Sequence, residues 1–260
     1  MRFKLILSTI NNKNILPLNY QYEISSCIYK IISNADKKFA SWLHDSGYVD
    51  DSKKFKLFTF SNFKVPEYKI NGDRMLILSH EIEMQISFLP AKSIEYFVTG
   101  LFKNQHFVIA DQKSQVNFIV NRIETMKEPA FSNEMTFKSL SPICISHKNE
   151  NCKYPEYLQP KGEIYKKLFL KNLVEKYNIF YKKQAEFNNN DFSLDILSKP
   201  KSRLITIKAN TKEESKIRGY TYKFKIKAAK ELLRLGYYAG FGEKNSMGFG
   251  CCEVVKEIKT

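Results

Sequence analysis

The sequence predicts an α+β protein built from two tandem ferredoxin-like (RRM-like) domains, each an antiparallel sheet with helices on one face. Three observations predict it. The 260 residues suffice for two domains, each of about 130 residues and able to bury a core. Apolar residues make up 43% and aromatics 14%, with only 10 Gly and 8 Pro, the composition of a folded globular chain rather than a disordered or fibrous one. The order strand, helix, two or three strands, helix, strand also occurs twice, which is the split βαβ order of that fold. The division is placed between residues 1–126 and 127–260.

Residues 2–9 carry the β-branched and leucine content of a first strand, ending at the polar turn Asn11-Asn12-Lys13-Asn14. A helix follows, because Ile24, Cys27, Ile28, Ile31 and Ile32 fall at i, i+3, i+4, i+7 and i+8. A second short helix carries Phe39, Trp42 and Leu43 and stops at Gly47. Strand patterns cover 56–63, 75–79 and 83–88, a helix 91–102, and strands 106–110 and 116–123. The pattern restarts near 126–132 with a strand at 135–146. A turn-rich stretch, 148–161, leads into a helix over 162–183. Strands at 192–197, 204–209 and 220–226, a helix at 227–238 and a closing strand at 251–255 complete the chain. Asn188–Asn190 reads as a loop.

Charge narrows the partners. Forty-two Lys plus Arg against 27 Asp plus Glu give +15, a balance that favours nucleic acid or an anionic membrane surface through counterion release. A lysine-rich composition gives the same number, and arginine is confined to Arg2, Arg74, Arg122, Arg203, Arg218 and Arg234, so charge alone decides little. The cysteines Cys27, Cys144, Cys152, Cys251 and Cys252 form no CxxC pair. With His44, His80, His106 and His147 lacking ligand spacing, no metal site and no cofactor are expected. A reduced cytoplasmic protein is the simplest reading. The apolar run in MRFKLILSTINN is too short for a signal peptide, and no stretch approaches a membrane span.

The glycine-rich string GFGEKNSMGFG, residues 240–250, is the most specific feature. Gly240, Gly242, Gly248 and Gly250 bracket Glu243, Lys244, Asn245 and Ser246 between a helix and a strand. Such glycines permit positive φ, and successive free N–H groups can then form a concavity for phosphate, with Lys244 adding a charge. A tight helix-to-strand connection would use glycine in the same way. The string has neither the GK[ST] of a P-loop nor the GxGxxG of a dinucleotide fold.

That string, preceded by Leu235-Gly236-Tyr237, resembles the signature loop of the CRISPR-associated endoribonucleases that process precursor CRISPR RNA, members of the RAMP superfamily. Other landmarks agree in order across nearly the whole chain: MRFKLIL at the start, CIYKII…FASWLHDSGY…KLFTFS, LSPI at 140–143, and the basic strand SKPKSRLITIK. The resemblance implies metal-independent attack by the ribose 2′-OH on the adjacent phosphate, with Tyr, His and Lys supplied by the N-terminal half. Matched to this sequence, those residues are Tyr29, His44 and Lys56, with Lys53 or Lys54 as substitutes for Lys56. His44 is assigned general acid or base, an imidazole titrating near pH 6.5 when unperturbed, and which of His44 and Tyr29 gives the proton is left open. Lys56 would offset phosphorane charge. Helical geometry supports the first two: at about 100° per residue Tyr29 lies about 140° from Ile24, off the apolar stripe, and His44 falls off the Phe39–Trp42–Leu43 face. Ordinary surface residues would sit there too. His80, His106 and His147 match no family position and are read as structural.

Residues 220–227 alternate, with Tyr222, Phe224 and Ile226 on one face and Lys223, Lys225 and Lys227 on the other. Together with Lys199, Lys201, Arg203, Lys208 and Arg218 on neighbouring segments joined by the charged turn 210–216, they read as a cation ladder that would track RNA phosphates. A solvated lysine face would look the same. Gly240, Gly242, Lys244, Asn245, Ser246, Gly248 and Gly250 complete the expected RNA-binding set. The expected partner is CRISPR repeat RNA, as precursor and as guide, with other subunits of an interference complex as further candidates. The chain is read as a monomer or homodimer with no membrane partner. A non-catalytic RNA-binding subunit is the alternative, and a basic DNA-binding or ribosome-associated protein would leave the ordered landmarks unexplained.

Overall fold

The computed structural model describes residues 1–50, 53–111, 113–148, 154–184, 192–209 and 211–255, with only the backbone described at 11–13 and 50. Cys152, Asn210 and the loop expected at Asn188–Asn190 lie outside the described residues.

The first half runs β1 (Arg2–Pro17), α1 (Gln21–Ala35), α2 (Lys37–Asp45), β2 (Tyr48–Asp50), β3 (Lys53–Phe55), β4 (Phe58–Phe60), β5 (Tyr68–Asn71), β6 (Arg74–Ile77), β7 (Ile82–Phe88), α3 (Ala91–Lys103), β8 (His106–Ala110) and β9 (Gln115–Thr125). Strand β1 is central, antiparallel to β7 on one side and β9 on the other, with β4 beyond β7 and β8 beyond β9. The turn expected at residues 11–14 is absent. Strand β1 continues through it, with register shifts at Ile6/Leu7 and between Thr9 and Asn14, and its far end pairs with β6. Ladder bonds on both sides override the local turn preference of the polar run, which becomes an irregularity in one long strand.

The second half runs β10 (Glu134–Ser139), β11 (Ser146–His147), β12 (Glu156–Tyr157), α4 (Gly162–Tyr181), β13 (Ser193–Ile196), β14 (Lys201–Ile207), β15 (Ser215–Thr221), β16 (Lys223–Lys227), α5 (Lys230–Ala239), a 3-10 turn Asn245–Met247 and β17 (Cys252–Val254). The four-stranded sheet has the order β13-β16-β10-β17. Counting only the strands of the split βαβ unit, the first sheet reads β4-β7-β1-β9. Both sheets therefore have the order second, third, first, fourth, the ferredoxin-like topology twice over.

The strand expected over 56–63 forms only as β4, and two in the second half also depart from their patterns. The strand expected over 135–146 leaves the sheet after Ser139, where the N–H groups of Leu140 and Ser141 both turn to the Cys251 carbonyl. The strand expected over 220–226 breaks at Tyr222 into β15, which pairs with β14 and bridges Ile143 through Tyr220, and β16 in the main sheet. Each half has its own core, and a third small cluster (Cys144, Ile205, Ile207, Ile217, Phe249) lies under the β14–β15 hairpin. The stripe Ile24, Cys27, Ile28, Ile31 and Ile32 is buried as its spacing predicts, whereas Trp42 stays 40% exposed at the edge of α2 against Phe39 and Tyr48.

Side chains of the first half fasten the second through its backbone. Arg2, buried to 1% exposure, donates to the carbonyls of Cys252 and Tyr237 and stacks 3.6 Å over the Tyr237 ring. Ser87 donates to the Tyr238 carbonyl at 2.9 Å and Thr59 to the Phe249 carbonyl at 2.9 Å. These bonds set where residues 240–250 sit against α1 and β4.

Candidate active site

Helix α1 turns its apolar stripe to the core and leaves Tyr29 half-buried at its flank. Helix α2 begins on Asp36, whose carboxylate accepts from the Phe39 N–H at 2.8 Å, a cap that fixes its direction. Phe39, Ala40 and Leu43 are its buried residues, so His44 near its last turn is directed outward. The Tyr29 and His44 rings meet edge-to-face with centroids 5.0 Å apart. Asp45 Oδ1 lies 2.8 Å from His44 Nδ1, leaving Nε2 as the nitrogen to face a substrate.

After α2 the chain turns at Gly47, whose φ is 62°, and returns along β2 and β3. This places the Lys56 ammonium 2.6 Å from the His44 carbonyl and the Lys54 ammonium 2.9 Å from that of Asp45. Terminal helix carbonyls lack intrahelical partners and carry the negative end of the dipole, so both cations are held there. Lys53 goes elsewhere, to Glu175 at 2.5 Å. Of the three lysines weighed from the sequence, Lys56 is bonded to His44 itself.

Burial pushes the Lys56 ammonium down to about 8, Lys54 adds to this by repulsion, and Asp45 opposes it. Burial pushes the Tyr29 hydroxyl up to about 12, with the nearby Ser246 side chain opposing. Asp45 is held below the usual carboxylate range, first by its bond to His44.

The 3-10 turn of the glycine loop packs against α1 and β4. The φ angles at Gly240, Gly242, Gly248 and Gly250 are all positive, 91°, 70°, 85° and 76°, but the glycines are buried. A Cβ at Gly248 would lie 2.7 Å from the Phe60 ring, and one at Gly250 only 1.9 Å from the Phe241 carbonyl oxygen. Glycine is therefore required by packing as well as by conformation. Part of the expected row of N–H groups is taken up inside the loop, while the consecutive amides of Lys244, Asn245 and Ser246 are not among those donors. The amides of Gly240, Phe241, Glu243, Met247, Gly248 and Gly250 donate to carbonyls of Gly236, Gly250, Cys144, Lys244, Asn245 and Pro142. Asn245 is also inside, its Nδ2 donating to the Phe241 and Phe249 carbonyls at 3.1 and 3.0 Å. Lys244 is exposed and Ser246 half-exposed, so these two remain for a phosphate to meet.

Sequence reasoning missed what holds the loop. Lys176 of α4, 1% exposed, reaches Gly240 O at 2.7 Å, Gly242 O at 2.6 Å and Asn245 Oδ1 at 2.6 Å. Burial lowers its pKa to about 7, with Glu243 and Glu175 opposing. A signal existed: Lys176 falls on the buried stripe of Tyr165, Phe169, Asn172, Leu173 and Tyr177, where an unpaired lysine is too costly to persist. Glu243 was also missed; its carboxylate accepts from the Ser146 N–H at 3.1 Å and hydroxyl at 2.7 Å.

Between β3, α4 and the loop lies a cleft of ≈ 590 Å³, lined among others by Lys54, Lys56, His147, Lys171, Lys244 and Ser246. His147, read from sequence as structural, thus borders the same opening as Lys56. Among the described residues no three of His, Cys, Asp and Glu gather as they would to hold a metal ion, and no helix is long and apolar enough to cross a membrane.

The expected cation ladder is divided. Lys223 and Lys225 lie on β16 in the four-stranded sheet, facing away from Phe224 and Ile226, and Lys225 is paired with Glu134 at 2.5 Å. Lys201, Arg203 and Arg218 lie on the separate β14–β15 hairpin, with exposed Lys199 before it. There Arg203 donates to the Leu18 carbonyl at 3.3 Å and Arg218 to the Ser202 hydroxyl at 3.0 Å. Lys208 is paired with Glu213. The break at Tyr222 causes the division, so the cations form two surfaces rather than one ladder.

The comparisons with known proteins agree along the chain. The family described as CRISPR-associated protein Cas6, N-terminal, matches residues 15–124, and that described as CRISPR associated protein Cas6, C-terminal, matches residues 126–254. The chain is 30% identical over 254 residues to CRISPR-associated endoribonuclease Cas6 1 of Methanocaldococcus jannaschii, covering 96% of this chain and 91% of the relative. It is 27% identical over 241 residues to CRISPR-associated endoribonuclease Cas6 of Pyrococcus furiosus, covering 92% and 83%. A solved structure described as a Cas6-related gene product from Pyrococcus furiosus superposes with a TM-score of 0.84 at 28% identity, covering 99% of each chain. Another, described as an RAMP protein binding different RNA substrates, superposes with a TM-score of 0.82 at 27% identity, covering 98% of this chain and all of the other.

Proposed function

The chain belongs to the Cas6 family of CRISPR-associated proteins, and from that membership and the site geometry we propose that it binds CRISPR repeat RNA and cuts it by metal-independent general acid–base catalysis. The observation that carries this reading is the convergence of Tyr29, His44 and Lys56, with the two rings 5.0 Å apart and the lysine on the histidine's own carbonyl. The proposed division at residues 126/127 puts these three in the first half and the glycine loop in the second, so RNA at the site touches both.

In the proposed reaction the ribose 2′-OH loses its proton and O2′ attacks the adjacent phosphorus. The P–O5′ bond breaks and the departing oxygen is protonated, leaving a 2′,3′-cyclic phosphate and a 5′-OH. His44 carries the proton traffic through Nε2, with Nδ1 fixed by Asp45. Tyr29, with its hydroxyl pushed up to about 12, stays a neutral phenol that orients the reacting oxygens. Lys56 offsets charge on the phosphorane. Lys244, Ser246 and the two cation surfaces hold the RNA backbone. In this reading the protein works in the cytoplasm as a monomer or homodimer and keeps or hands on the guide RNA to other subunits.

The test is repeat RNA from the host, incubated in EDTA beside a copy whose scissile 2′-OH is replaced by hydrogen. Cleavage of the first alone, lost in His44→Ala, is the expected result. A requirement for Mg²⁺, or cutting of the deoxy substrate, overturns the mechanism. A second reading, a non-catalytic RNA-binding subunit of a CRISPR ribonucleoprotein, is supported by the RNA binding stated for one well-superposing relative. It predicts tight repeat binding with no cleavage of either RNA.

A further inference from the structure

We propose that the cleft between β3, α4 and the glycine loop is a base pocket, which takes one unpaired nucleobase of the repeat RNA beside the scissile phosphate and reads its edge through Asn172. Which RNA enters, and where it is cut, rest on the proposed function. The floor comes from α4, where Leu168, Asn172 and Lys176 recur every four residues and so share one face. Phe55 and Leu57 wall the cleft from the first half and Met247 from the loop. Lys53 reaches across to Glu175 at 2.5 Å and ties β3 to α4. At ≈ 590 Å³ the cleft falls within the range of sites that enclose a small organic ligand, about 300–1,000 Å³.

Asn172 is the residue that points to a base. It is 8% exposed, and its Oδ1 is buried with no hydrogen-bond partner among the described residues, a cost that folding alone does not explain. Lys176 on the same face does not relieve it, because its three N–H donors are spent on Gly240 O, Gly242 O and Asn245 Oδ1. Among the described lining residues Glu243 is the one carboxylate, and it is held by the Ser146 N–H and hydroxyl. A side-chain amide offers an acceptor at one end and two donors at the other, and a half-turn about its broad χ2 torsion exchanges them. That pattern pairs with the hydrogen-bonding edge of a base. Aromatic and aliphatic walls suit the faces of a base and not a bare phosphate. Phosphates belong at the rim, where Lys54, Lys148, Lys171 and Lys244 are exposed and Lys56 is half-buried. The Lys56 ammonium also lies 2.6 Å from the His44 carbonyl, so a nucleotide in the cleft adjoins the groups assigned to chemistry.

The experiment measures binding by the full chain of host repeat RNA whose scissile 2′-OH is replaced by hydrogen, so that nothing is cut. Each nucleotide flanking the scissile phosphate is varied in turn through the four bases and an abasic site. At one position, loss of the base is expected to weaken binding by about 10-fold, and the four bases to differ by about 10- to 100-fold. Asn172→Leu is expected to bring the four bases at that position within about twofold of one another. It should do so without lowering the urea midpoint, because an unpaired amide contributes no bond to the fold. Flanking positions that all tolerate every base overturn the proposal, as does discrimination that survives Asn172→Leu. Should Asn172→Leu not fold, Phe55→Leu is expected to weaken binding of the intact repeat and not of the abasic one; equal losses overturn the pocket. Free AMP, GMP, CMP and UMP are the control: one that binds as tightly as the repeat makes this a small-molecule site and likewise overturns it. Base discrimination with no cutting of the all-ribose RNA fails the proposed mechanism and leaves the pocket standing, whereas absence of repeat binding removes both.

Discussion

Helices α1 and α4 occupy the same place in the two repeats, each following the first strand of its half and packing on a four-strand core of identical order. Each turns one polar residue toward the seam between the halves. From α1 it is Tyr29, half-buried beside His44; from α4 it is Lys176, fully enclosed under the glycine loop. The difference is one of access. The first half presents groups that solvent or RNA can reach, while the second buries the charge of Lys176 and shows Lys244 and Ser246 on the loop above it. In the proposed function one copy of the fold supplies the chemistry and the other holds the chemistry's partner in register.

The hardest test of that division is His44→Ala. If the first half carries the chemistry, the cleavage rate should fall by about 10² to 10⁴, while repeat affinity, measured by filter binding, stays within about twofold of wild type. A parallel loss of affinity would mean that His44 belongs to the holding surface and that the two halves are not specialised.

Lys56 sharpens the comparison through pH. Its ammonium is charged below about 8 and neutral above, because burial and Lys54 lower it. In the proposed reaction its offset of phosphorane charge is therefore present at neutral pH and lost as pH rises through about 8. The single-turnover rate should fall on that limb, and Lys56→Ala should remove the limb along with about 10² in rate. A limb unchanged in Lys56→Ala assigns it to another group.

The holding half is tested by its glycines. At Gly250 an added Cβ meets the Phe241 carbonyl oxygen at 1.9 Å and φ is +76°, whereas at Gly72 in the β5–β6 turn φ is +57° with nothing within 4 Å. Both substitutions strain the backbone, but Gly250→Ala must also displace the loop. Urea unfolding should show a loss of about 3 kcal/mol for Gly250→Ala against about 1 kcal/mol or less for Gly72→Ala. Equal costs would mean that the loop's neighbours yield freely, and that it is no fixed platform against α1.

How much of this was legible beforehand follows the same divide. The apolar stripe of α1 was readable because spacing at i, i+3 and i+4 decides burial, and with it the flank position of Tyr29. The doubled element order gave the topology for the same reason. What failed was local inference where distant partners decide. The polar residues 11–14 look like a turn, but β9 pairs with Thr9 and Asn14 and β6 with residues 15–17, so β1 runs on through them. The glycine string looks like a row of open amides, yet those of Glu243 and Gly250 find carbonyls of Cys144 and Pro142 a hundred residues away. Lys176 was overlooked because a lysine in a helix is ordinarily solvated, and only its place on the buried stripe marked it.

The smallest effect separates cations that look alike in sequence. Lys223 and Lys225 lie two residues apart on the same face of β16, but only Lys225 is ion-paired to Glu134 across the strand pair, at 2.5 Å. A lysine whose charge is already offset by a neighbouring carboxylate recruits few counterions, and so has few to release when a phosphate arrives. Lys223→Ala should therefore flatten the salt dependence of repeat binding by about one unit of slope and cost about threefold to tenfold in affinity at low salt. Lys225→Ala should change the slope by less. Binding isotherms across a salt series decide it: equal slope changes would place both lysines against phosphates and make the Glu134 pair one that RNA displaces, turning this face of the second half from a partly neutralised surface into a continuous track.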